Sequence, residues 1–111
     1  MSYPLENALY EWEEGNRRLQ ELSLSRPGLY RRVSRAVDAV REELRRRIGP
    51  TFYAAELADL YGAGTDWCLA VAAQTSEEAG RWDPQLITDA AFYLYLRGAR
   101  DWSGGRLSTV D

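Results

Sequence analysis

Residues 26–50 read RPGLYRRVSRAVDAVREELRRRIGP, and this stretch decides the fold class. Leu29, Val33, Ala36, Val37, Val40, Leu44 and Ile48 recur at helical spacing and, at 100° per residue, fall within an arc of about 120°. Gly49-Pro50 follows as a stop signal, so the spacing predicts a helix over 29–48. Its other half carries Arg31, Arg32, Arg35, Arg41, Arg45 and Arg46, with Asp38 and Glu42 in the middle. Arg47 is the misfit, because it projects into the apolar arc. Either the helix frays before it or it pairs with a carboxylate across the bundle, since an unpaired buried charge is costly.

Charge is segregated around this rod. Eight of the fourteen arginines lie between Arg26 and Pro50, no lysine occurs, and the stretch nets +5. Residues 1–25 net −3, residues 51–80 net −5 and the remainder is balanced, for −3 overall. A net acidic chain argues against nucleic acid as the general partner. The acidic Glu6, Glu11, Glu13 and Glu14 are instead expected to meet the arginine helix along a packing rim. Exclusive use of Arg with many Ala, Leu and Gly fits a GC-rich bacterial source.

Outward from the rod, Pro4 opens a first helix over about 4–22, with Leu5, Leu9, Trp12, Leu19 and Leu22 as its apolar stripe. Gly15 inside it signals either close approach of a neighbour or a break. Residues 23–28 read as a loop. Two short helices, 52–61 and 65–74, flank Gly62-Ala63-Gly64. Asp83 as N-cap and Pro84 at the first turn open the last helix, over 84–102. Trp82 before the cap is expected to staple onto Ile87. Residues 103–111 read as a flexible tail. The whole is expected to be all-α, one domain of four main helices, the third broken into a helix-turn-helix-like hairpin at Gly62–Gly64.

The last helix is apolar over about 200°, with Asp89, Tyr93, Arg97, Arg100 and Asp101 on the remaining polar stripe. Such a helix is either the centre of the bundle or part of a homodimer interface.

Residues 51–65 resemble the first helix and turn of a helix-turn-helix. Ala58 and Gly62 have the required spacing, Leu57, Tyr61, Ala63, Cys68 and Val71 the apolar offsets, and Thr65 a capping position. The second helix, however, offers Asp66, Trp67 and Gln74 and no base, which phosphates would repel.

Catalytic equipment is sparse. With no histidine there is no imidazole base or histidine ligand, and Cys68, the lone cysteine, reads as a buried structural thiol. No glycine-rich phosphate loop and no metal-ligand spacing occur. No cofactor is expected, and the chain reads as a non-enzyme. A single cysteine, no apolar run of membrane length and no signal-peptide pattern imply a cytoplasmic protein with no membrane partner.

The leading expectation is a regulatory or interaction protein docking an acidic protein surface through Arg31, Arg35, Arg41, Arg45 and Arg46. Arg97, Arg100 and Trp102 form a second candidate docking patch, because Arg and Trp are enriched in binding hot spots. Alternatives are a DNA-binding regulator using the 51–73 hairpin, and a small-molecule site among Tyr53, Tyr61, Tyr93 and Tyr95.

Overall fold

The computed structural model describes residues 3–101 and 107–108. They form six helices: α1 (Leu5–Ser25), α2 (Pro27–Ile48), α3 (Ala54–Gly62), α4 (Asp66–Thr75), α5 (Glu77–Trp82) and α6 (Pro84–Arg97). Three strands of two residues each, β1 (Thr51–Phe52), β2 (Arg100–Asp101) and β3 (Leu107–Ser108), pair antiparallel in the order β1-β3-β2. The class is all-α, with this small clasp holding the end of α2 to the end of α6. No helix among the described residues is long and apolar enough to cross a membrane.

Several boundaries differ from the sequence expectation. The predicted loop at 23–28 is a single residue, Arg26, between α1 and α2. The Ser23 and Ser25 hydroxyls donate back to the Gln20 and Glu21 carbonyls, and Pro27 sits in the first turn of α2, where its missing N–H costs nothing. Helix α5 was not anticipated. It is only six residues long, but the Ser76 hydroxyl accepts from the Ala79 amide, and Glu77 and Glu78 occupy the first turn, at the positive end of the helix. The last helix stops at Arg97 rather than Trp102. Gly98 follows it, and Arg100–Asp101 take backbone partners on β3 instead. Leu107–Ser108, read as tail, lie between β1 and β2. Trp102 lies outside the described residues.

Helix α6 is the centre of the molecule. It packs on α1, α2, α4 and α5, and Leu86, Ile87, Ala90, Ala91, Phe92 and Tyr95 are all buried. Its wide apolar arc is therefore covered within the chain. The α2 arc meets it as the periodicity requires: Leu29, Val33, Ala36, Val37, Val40 and Leu44 are buried. Trp12 is in the core, stacked on Phe92 at 5.4 Å, with Tyr61 edge-on to both rings. Gly15 marks a close approach, not a break. A Cβ built there would collide with the Asp89 Cβ and stand 3.0 Å from the Ala90 backbone nitrogen.

Candidate functional site

The exposed side of α2 carries a dense set of charged side chains. Six core residues on one arc rotate everything opposite them outward, so Arg31, Arg35, Asp38, Glu42, Arg45 and Arg46 are all exposed. Within that set the arginines have different fates. Arg46 pairs with Glu43 at 2.8 Å and Arg32 reaches Glu78 of α5 at 3.1 Å. Arg41 is half-buried. It pairs with Asp38 at 3.3 Å and lies beside the C-terminal end of α6, with Nη2 3.9 Å from where a Gly98 Cβ would stand. A cation there also complements the carbonyl end of that helix. Arg31, Arg35 and Arg45 have no carboxylate within 4.0 Å among the described residues.

Arg41, Glu42, Arg45, Tyr95 and Gly98 line a cleft of about 170 Å³ where the last third of α2 crosses the end of α6. Arg97 is exposed at the last position of α6 and is not among the residues that line this cleft. Arg100 has its backbone in β2, and Trp102 lies outside the described residues, so the second patch is represented by Arg97 alone. The expected homodimer through the last helix rested on exposed apolar surface. Among the described residues of α6, every apolar side chain is buried or half-buried within the chain.

Arg47 follows neither route expected of it. The helix continues through it to Ile48, and its guanidinium lies over the Trp67 ring of α4, 4.3 Å from the centroid, while Glu43 one turn back stands at 3.3 Å. The cation stays about two-fifths exposed and uses an aromatic face where a carboxylate had been sought. The acidic first helix does not answer the arginine helix either. Among the described residues no ion pair joins α1 to α2: Arg17 is held by Glu14 and Glu21 within α1, and Arg18 pairs with Asp83 at the cap of α6.

A polar cluster that periodicity assigned to solvent lies inside. Asp89 is buried on α6, where the Tyr61 hydroxyl donates to Oδ1 at 2.7 Å and Gln85 Nε2 donates to the same atom at 2.9 Å. Burial pushes the Asp89 carboxyl up to about 6, only partly opposed by the hydrogen bonds from Tyr61 and Gln85. Burial also raises the Tyr61 hydroxyl, and its bond to the carboxylate raises it further. Gly15 was the one sequence signal that could have located this contact. Gly15 abuts Asp89 and aromatic rings pack on Tyr61, while Gln85, the other donor to Asp89, is exposed and lines a cleft with Thr65, Asp66 and Thr88.

The other candidate features separate in space. Tyr61 belongs to the Trp12 cluster, Tyr95 stacks on Phe52 and donates to the Gly49 carbonyl at 2.7 Å, and Tyr53 is the exposed N-cap of α3. The four tyrosines do not converge on one cleft. In the 51–73 segment α3 packs on α1 and α4 on α2, α5 and α6, rather than principally on each other. The exposed positions of α4 are Asp66, Leu69, Ala70, Ala73, Gln74 and Thr75, without a base. Cys68 is buried, and burial pushes its thiol up to about 12. Trp82 is exposed and lines a cleft with Arg18, Leu22 and Leu86, while Ile87 is fully buried. Among the described residues no three His, Cys, Asp or Glu side chains gather as metal ligands. Compared with known proteins, the chain matches no family model, no curated protein and no solved structure.

Proposed function

We propose that this chain is a non-enzymatic interaction domain that docks, through the exposed face of α2, on an acidic protein surface. The observation that carries the reading is the unpaired state of Arg31, Arg35 and Arg45 on a helix whose other arginines are engaged within the fold. A guanidinium presents a fixed fork of donors suited to carboxylate recognition, and an unpaired one has that fork free. Asp38 and Glu42 on the same face set the partner class. They interrupt what would be a continuous cationic strip, so a patterned protein surface fits better than a phosphate backbone. The pairing of the other arginines supports a docking set narrower than the sequence expectation. Arg41 and Arg46 pair with Asp38 and Glu43 within the helix, and Arg31, Arg35 and Arg45 carry the contact in this reading. The lone cysteine supports action in a reducing, cytoplasmic compartment.

Affinity capture with the wild-type chain and with a variant carrying Arg31→Glu, Arg35→Glu and Arg45→Glu tests the reading. Partners present with wild type should be lost with the variant while helicity and melting stay the same. Recovery of the same partners by both forms rejects the α2 face. Binding to duplex DNA that weakens steeply with salt would transfer the face to phosphate recognition.

A further inference from the structure

The charged line on α2 is self-complementary. Arg31, Arg35, Asp38 and Glu42 follow one another at spacings of four, three and four, all exposed, and at 100° per residue they fall within an arc of about 60°. The line reads plus, plus, minus, minus. Laid antiparallel against itself, it reads minus, minus, plus, plus. We infer that the carboxylates met by Arg31 and Arg35 of this face are Asp38 and Glu42 on the α2 helix of a second copy of the chain. A two-fold axis then crosses between Ala36 and Val37, at the level of the charged line. Arg31 faces Glu42 of the second copy and Arg35 faces its Asp38, and the same two pairs repeat on the other side of the axis, as an isologous contact requires.

This inference rests on the reading of α2 as a docking face and names its occupant. The neighbouring positions agree with it. The flanks nearest the axis are Ser34 and Ala39, small enough for two helices to approach. Other registers are worse: moving the axis half a turn either way sets arginine against arginine. Exposed ion pairs are individually weak, so the association is reversible and salt-labile.

Charge exchange provides the test. Arg31→Glu with Arg35→Glu makes the line acidic at all four positions, and Asp38→Arg with Glu42→Arg makes it basic at all four. By sedimentation equilibrium at low salt, wild type should self-associate. Each double variant alone should remain monomeric, and their equimolar mixture should form a heterodimer. Raising salt from about 0.05 M to about 0.5 M cuts the screening length from roughly 14 Å to about 4 Å and should weaken wild-type association by about tenfold or more. Circular dichroism checks each fold, and Arg35→Glu mixed with Asp38→Arg repeats the exchange with one change per chain. A mixture that stays monomeric, or double variants that dimerise alone, overturns the inference. A monomeric wild type whose α2 still captures an acidic protein overturns self-pairing and leaves the docking function standing. A monomer that captures nothing overturns both.

Discussion

Gly15 of α1 and Asp89 of α6 touch where the two helices cross, backbone against the base of a buried carboxylate. The missing side chain lets the two helices approach, and Asp89 is buried there with Tyr61 and Gln85 as its hydrogen-bond donors. One glycine thus sets both a packing distance and an electrostatic environment.

Gly15→Ala should destabilise the protein, although alanine is the better helix former by up to about 1 kcal/mol. The added methyl meets the Asp89 Cβ and the Ala90 backbone, neither of which is a flexible end, and overpacking of this kind costs about 1–3 kcal/mol. A lower urea midpoint with an unchanged slope is the expected result. An equal or higher midpoint would show that the helices separate without cost.

The raised carboxyl of Asp89 predicts the sign of the pH dependence. The folded state holds its proton up to about pH 6, against an ordinary value of 3.8, so the native chain binds a proton the unfolded chain has lost. Stability from this group should rise as pH falls from about 7 to about 4 and level off beyond either limit. Asp89→Asn should remove that dependence and raise the melting temperature at pH 7.5. The gain is on the order of 2 kcal/mol, because one pKa unit is worth 1.36 kcal/mol. Melting curves of both forms from pH 4 to pH 8 decide it, and parallel profiles would refute the assignment.

Tyr61→Phe removes the shorter of the two hydrogen bonds to Asp89 and keeps the ring packing on Trp12 and Phe92. Loss of a bond to a charged group should cost about 1.5–3 kcal/mol at pH 7.5 and less at pH 5, where the carboxyl is protonated. A penalty that does not change with pH would mean that the hydroxyl serves packing alone.

Arg47 and Trp67 should show direct coupling. A double-mutant cycle with Arg47→Met and Trp67→Leu is expected to give about 0.5–1 kcal/mol of interaction energy, the range for a cation on a partly exposed ring. Coupling near zero would leave Arg47 held by Glu43 alone.

Cys68 should be silent in the native state. Buried beneath α6, with its thiol raised to about 12, it should react with a disulfide reagent only as fast as the protein opens. Stoichiometric labelling within seconds under native conditions would contradict this burial.

Much of the helical layout is legible in the residues alone. The seven-residue apolar arc of 29–48, the Gly49-Pro50 stop and the Asp83-Pro84 start are local signals, and local hydrogen bonding and sterics suffice to read them. The same arc turned Arg31, Arg35 and Arg45 outward before any neighbour was known. Short-range rules fail where two chain segments compete. Arg100–Asp101 left the last helix because β3 offered backbone partners, and α5 formed on a six-residue stretch too short to show a period.

What periodicity states is which residues share a face of one helix. It does not state which face meets which helix. Asp89 and Arg47 make the difference concrete. Asp89 sits on a polar stripe that solvent should have taken, yet Gly15 opens room for α1 to close over it. Arg47 sits on an apolar arc, yet α4 brings Trp67 beneath it. The sequence by itself determined the amphipathic arginine helix, the class of the fold and the lack of an imidazole. Arg41, Arg46 and Arg47 pair with carboxylates three or four residues away on the same helix. Only the tertiary structure decided that Arg32 meets Glu78 and that Arg47 lies over Trp67, because packing alone brings residues so far apart in the chain together.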